Sequence, residues 1–342
     1  MTIRDRKALK SSAKNALAYS AYSPRKLFGI HIAVTAGITL VLSFLNYFLA
    51  AGIDTTGGLD GIGSRAILQT IQELLSFARS LALPFWQIGL VFVALQLFRR
   101  QPTEPATLLT GFRRIGPVLR LYILKYLILV AVVFGVINIL MTLIFLSPLT
   151  NILAAFAETW LSSIETMTEE EILLLMEDPA FAEQLLKVML PIFLAMMAAL
   201  YFAIILILYR IRMADYVLMD HPELGARNAV KTSWKLTKGN CLSLFKLDLS
   251  FWWFYALELL LSGFYIFGFV ATDLLDAGMM TLVCDLVFCI GQVALYAWAN
   301  AYLQTTYAAA YEVLLFQKEQ EEEEARRQAA QTFTPWDLPP CP

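Results

Sequence analysis

Six long apolar runs constrain this chain more than any other feature. They cover residues 27–51, 81–98, 118–146, 188–209, 247–270 and 279–303. Each approaches or exceeds the roughly 20 residues that a helix needs to cross a hydrocarbon layer of about 30 Å. Lipid offers the backbone no hydrogen-bond partners, so such a run must satisfy its own N–H and C=O groups as a helix. None of the six alternates apolar and polar residues at period two, which argues against barrel strands. Composition points the same way. Hydrophobic residues make up 58% and charged residues 16%, against about 45–50% and about 25% in soluble domains. The polar surface needed to cover soluble cores is missing. Four cysteines in 342 residues argue against a disulfide-built module. The expected fold is all-α: a polytopic membrane domain over residues 1–316 with six transmembrane helices.

The loops orient such a bundle. Of the 26 basic residues, all but Arg65, Arg79 and Lys187 fall before the first run, between the second and third (counting the start of the third), around the connection of the fourth and fifth, or in the tail. By the positive-inside rule this places both termini in the cytoplasm, as an even number of spans requires. The basic start of about 26 residues and the first apolar run both exceed the dimensions of a cleaved signal peptide.

Three basic segments share one design. Residues 4–21, 104–117 and 222–245 each interleave Lys and Arg with aliphatic or aromatic residues, and each leads into an odd-numbered span. They read as amphipathic helices lying in the headgroup plane on the cytoplasmic side, drawn there by anionic lipid. The outer connection 147–187 is acidic, with eight carboxylates from Glu158 to Glu183 against Lys187. It reads either as a solvated lid or as a docking surface for a cationic peptide or another membrane or secreted protein. Residues 317–342 form an acidic, Pro-rich cytoplasmic tail, expected to extend the last helix before losing order.

Polar groups inside apolar runs are costly and are weighed individually. In the first run His31, Thr35, Thr39, Ser43 and Tyr47 recur every fourth residue, which places them on one helix face. In the last, Asp285, Cys289, Gln292, Tyr296, Asn300 and Gln304 do nearly the same. Glu258 sits near the middle of the fifth. No base lies at the depth of Glu258 or Asp285. Two readings stand: hydrogen-bonded glue between helices, or the wall of a hydrophilic path. The candidate intramembrane polar site is therefore Glu258, Asp285, Gln292, Asn300 and His31. No metal or cofactor is expected, because the two histidines, His31 and His221, are far apart and no zinc, nucleotide or nucleophile-elbow motif occurs. No nucleic-acid signature is present, and an enzyme is not expected.

The connection between the fourth and fifth runs carries a distinctive pattern. Tyr209, Ala214, Tyr216, Leu218, Asp220 and Pro222 are followed by Ser233, Leu236, Gly239 and Asn240, then by Phe245, Leu247, Leu249, Ser250, Phe251 and Trp252. This resembles the bacterial and archaeal integral-membrane family known as "domain of unknown function 975". The basic start and the closing Tyr307 and Tyr311 are also similar to it, and it is distantly similar to the membrane domain attached to some glycerophosphodiester phosphodiesterases. The resemblance implies a six-helix protein of unassigned function in a bacterial plasma membrane. Its motif residues Asp220, Pro222, Ser233, Gly239, Ser250, Phe251 and Trp252 read physically as an elbow. Asp220 and Pro222 suit a helix start, Gly239 suits a C-terminal cap, and Trp252 suits an interfacial anchor. The leading expectation is a non-enzymatic accessory or scaffold component that engages anionic headgroups. The alternative is a small-solute or peptide transporter using the carboxylates of the fifth and sixth spans, with a water-accessible cavity between spans one, five and six.

Overall fold

The computed structural model describes residues 3–19, 23–54, 59–158, 179–275 and 278–332. Most of the acidic connection (159–178) and the end of the tail (333–342) lie outside the described residues. Among the described residues every regular element is helical. The chain divides into two compact units: Met1–Tyr122 with Arg212–Pro342, and Ile123–Ile211.

In the first unit, α1 (Arg6–Ala18) begins at Asp5, whose side chain accepts the Ala8 N–H at 3.1 Å. Its apolar positions Leu9, Ala13 and Ala16 are buried. Long helices follow: α2 (Pro24–Asp54), α3 (Leu59–Phe98) and the first turns of α5 (Ile115–Leu146), with the single-turn α4 (Thr110–Arg113) between them. After the second unit come α8 (Ala214–Asp220), α9 (Gly225–Thr237), α10 (Cys241–Leu249), α11 (Trp252–Leu275) and α12 (Gly278–Thr332). α12 is the spine. It packs along α2 and α11, with α1 and α3 beside it.

Among the described residues five helices are long and apolar enough to cross a membrane. A sixth is added if α10 and α11, bent by 61°, count as one broken span. The all-helical expectation holds, but several boundaries move. The fifth run does not start a helix at residue 247. The chain breaks at Ser250–Phe251 because Lys10 Nζ donates to the Ser250 carbonyl at 2.8 Å and stands 3.9 Å over the buried Phe251 ring. That carbonyl is drawn toward α1 rather than into a helical ladder. The last helix runs unbroken through the expected span and most of the tail for 55 residues.

The three basic segments are not three single helices lying on lipid. Residues 104–117 are not one helix. They form a 3-10 turn, Pro105–Leu109, then α4 and the start of α5. Pro105 and the reciprocal capping of Glu104 and Thr107 start the tight turn. The turn lies directly on α3: a Cβ at Gly89 would strike the Leu108 carbonyl, and one at Gly111 the Phe85 carbonyl. In α9, Ala226, Ala229, Val230, Ser233 and Leu236 are buried within the protein. The apolar faces of α1 and α9 are thus covered by protein, while their basic side chains other than Lys10 face out.

The second unit contains the rest of α5, then α6 (Leu149–Phe156) and α7 (Pro179–Ile211). Phe156 and Phe181 stack at 6.0 Å and are buried. Along α5 and α7 large apolar side chains such as Phe134, Phe145, Tyr201 and Phe202 are exposed. Helices apolar on every side suit an apolar surround rather than water.

Candidate functional site

A cavity of about 440 Å³ lies in the first unit. α2 contributes His31 and Thr35, α3 contributes Leu83, Gln87, Leu90 and Val91, and the first turns of α5 bring in Tyr122. Arg212 from the α7–α8 joint, with Asp215 and Tyr216 of α8, closes one end, and α12 lays Gln292, Tyr296, Asn300, Gln304 and Tyr307 along one wall. The α12 residues recur at four, four, four and three positions, so one helix face presents them all. Apolar outer faces and this polar inner face together explain why the helix tolerates so many polar groups.

Of the candidate intramembrane residues, His31, Gln292 and Asn300 line this cavity. Glu258, on α11, stands behind Gln292, whose Nε2 donates to Glu258 Oε1 at 2.9 Å. Glu258 Oε2 is buried and has no hydrogen-bond partner among the described residues. Asp285 is buried as well but does not line the cavity. Its neighbours are Tyr265 and Cys289. The His31 ring stacks on Trp86 at 5.1 Å, and its carbonyl accepts both Trp86 Nε1 and Thr35 Oγ1 at 3.0 Å. His31 Nε2 is buried without a hydrogen-bond partner among the described residues.

Two charged clusters sit beside the cavity. Arg212 Nη1 donates to Asp248 Oδ2 at 2.5 Å, and its guanidinium lies 3.9 Å over the Tyr307 ring. Tyr307 in turn meets the Tyr255 hydroxyl at 3.2 Å. In the second cluster Arg99 grips Asp220 with Nη1 and Nη2 at 2.6 and 2.8 Å, while its Nε donates to Glu312 at 2.6 Å. These hydrogen bonds, those to Asp220 foremost, raise the Arg99 pKa above the ordinary arginine value. Tyr311 donates to Asp220 at 3.1 Å and stacks on the cavity residue Tyr216 at 5.5 Å.

Tyr216, Asp220, Tyr307 and Tyr311 of these clusters belong to the motif read from the sequence, and the likeness extends along the chain. Residues 1–318 fit the family described as "Protein of unknown function (DUF975)". The chain belongs to the DUF975 family. No curated protein and no solved structure matches it.

The DUF975 motif residues serve packing and pairing in this fold. Asp220 closes α8 and takes the Arg99 fork rather than capping a helix start. Pro222 opens a 3-10 turn before α9, and Ser233 is fully buried in α9. Gly239 follows α9 with φ of 81°, a left-handed backbone that favours glycine. Ser250 and Phe251 form the α10–α11 break held by Lys10, and Trp252 starts α11 largely exposed. Burial, with the nearby Arg6 charge, lowers Lys10 from the usual lysine value.

Sequence reasoning missed Gln87, Tyr122, Arg212, Asp215, Tyr216 and Tyr307 as cavity residues. Arg212 was counted only as an orienting charge. The signal lay in the motif itself, which includes Tyr216 and Tyr307 and surrounds Arg212 and Asp215. An arginine and an aspartate three positions apart, with Tyr216 beside the aspartate, suggest a shared polar surface.

Proposed function

We propose that this chain is a multi-pass membrane protein whose cavity binds a small, net-neutral solute rich in hydrogen-bonding groups, zwitterionic or polyhydroxylated, and offers it a route through the bundle. The observation that carries this reading is the lining of the cavity. Gln87, Gln292, Asn300 and Gln304 supply paired donors and acceptors, four tyrosines supply flat faces and hydroxyls, and the charged lining residues are Arg212, paired with Asp248 behind it, and Asp215. Polar groups at this depth are costly unless partnered, and the orphaned His31 Nε2 marks an unmet bond. Buried pockets with a few convergent polar groups are the usual form of small-molecule sites. The long apolar helices, with α10–α11 as a broken sixth span, support six crossings of a bacterial plasma membrane. The concentration of basic residues in one set of connections supports a cytoplasmic side for both termini.

The test pairs accessibility with binding. Cysteines placed at Gln292 and Asn300 react with a membrane-impermeant maleimide in native membranes. A panel of amino acids, betaines and polyols raises the thermal midpoint of the purified chain only for members that bind, by a few degrees at about 100-fold excess over Kd. Asn300→Leu removes that shift. Unreactive cysteines at both positions would overturn the reading.

A second reading, an accessory or scaffold role resting on anionic lipid, has its own support. Arg227, Lys231, Trp234, Lys235 and Lys238 lie exposed on the outer side of α9. A basic face with an exposed indole suits a negatively charged membrane surface. The described flank of the acidic connection, which includes Glu158 and Glu183, leaves its role as a protein-docking surface a proposal of the same kind.

A further inference from the structure

A second cavity, of about 600 Å³, lies on the opposite side of α12 from the polar wall. It is set between the end of α1, the start of α2, the first turn of α11 and the middle of α12. Lys14 and Arg25 stand at it, Trp253, Trp298 and Tyr302 wall it, and Leu17 adds to an otherwise mostly apolar lining. Among the described residues none that lines it is acidic. Lys14 and Arg25 are both exposed and make no ion pair among the described residues.

The depth of this cavity follows from the chain itself. Arg25 precedes the apolar run of α2 by two residues, and Trp253 falls in the first turn of the apolar α11. Both positions are where a hydrocarbon-crossing segment would begin. Trp253 meets Trp298 at 5.2 Å, edge to face, which ties α12 to the same level, and Trp298 remains 55% exposed. Indoles favour the boundary between headgroups and acyl chains, and long basic side chains reach from apolar surface toward phosphate level. Two unpaired cations above an aromatic, apolar recess match a phosphate attached to acyl chains.

We propose that this cavity is a seat for one anionic phospholipid, its phosphate held by Lys14 and Arg25 and its glycerol and upper acyl chains laid against Trp253, Trp298 and Leu17. The seat rests on the second reading above only in sharing its ligand class, and the two are separable. A bound lipid here would bridge α1, α2, α11 and α12, the helices around the spine.

The experiment uses the full chain, extracted in mild detergent and examined by native mass spectrometry with phosphatidylglycerol or phosphatidylcholine. One phosphatidylglycerol per chain is retained, and phosphatidylcholine is not. Lys14→Gln with Arg25→Gln weakens retention roughly 30-fold, the attraction expected of two cations near an anionic headgroup. Trp298→Ala weakens it as well. Both exposed positions tolerate substitution, so the thermal midpoint without lipid stays unchanged. Lys231→Gln with Lys235→Gln, on α9, leaves the retained lipid in place. Glycerol phosphate at millimolar concentration does not displace it. Equal retention of phosphatidylcholine, full retention by the Lys14/Arg25 double variant, or displacement by glycerol phosphate would each overturn the seat. Loss of adhesion to anionic vesicles in the α9 variant, alongside unchanged retention in the Lys14/Arg25 variant, would leave the second reading standing and remove this one.

Discussion

Arg99 holds three hydrogen bonds through one planar head, two to Asp220 and one to Glu312. A lysine carries the charge but cannot present the fork. Arg99→Ala is expected to destabilise the protein by about 1–2 kcal/mol, since the pair is only partly buried. Arg99→Lys recovers less than half of that loss in thermal unfolding, and full recovery by lysine would show that charge alone matters. The Gln292–Glu258 contact gives a sharper case. Gln292→Leu leaves a buried carboxylate oxygen without its donor and costs about 2 kcal/mol. Adding Glu258→Leu removes the stranded group, so the double variant loses less than the sum of the two single variants. Additive losses would mean that the two side chains do not interact. At this scale the sequence was partly legible. His31, Gln292 and Asn300 were found by their four-residue spacing, because a helix face is a local property. Arg212 and Asp215 were not found as site residues, because their contribution depends on where distant helices meet, and no spacing rule encodes that.

Gly89 and Gly111 let backbone touch backbone where the 3-10 turn lies on α3. Gly111→Ala is expected to cost about 2 kcal/mol or more through overpacking. Gly116→Ala, where nothing lies within 4 Å of the added carbon, is neutral or stabilising in a helix. Equal effects of the two substitutions in thermal denaturation would refute the close approach. Phe251 tests the α10–α11 break. It is fully buried, so Phe251→Ala costs about 3–5 kcal/mol. Long apolar helices were readable because length and hydropathy speak for themselves. The breaks were harder to read. Residues 104–117 carry a helical pattern of apolar residues, yet Pro105, Gly111 and the tight contact with α3 favour a 3-10 turn. The pattern at 247–253 carries no proline or glycine to mark a stop, and the break is held by Lys10, some 240 residues away in sequence.

For the whole molecule, the number of crossings has a direct consequence. If α10 and α11 together make a sixth span, both termini lie on one side of the membrane. If they do not, the five remaining helices put the termini on opposite sides. Reporter fusions active only in the cytoplasm are expected to be active at both ends, and activity at one end alone would reduce the count to five. The 55-residue α12 has a further consequence. At about 1.5 Å per residue it extends about 80 Å, well over twice the thickness of a hydrocarbon layer of about 30 Å. The solvent-facing carboxylates Glu321 to Glu324 lie toward one end, while Gln292 and Asn300 lie in the half of the helix on the other side of its middle. Without a break between them, a small tilt imposed at the acidic end becomes a displacement of the cavity wall. One continuous helix thus joins a charged arm in water to the amides of the cavity wall.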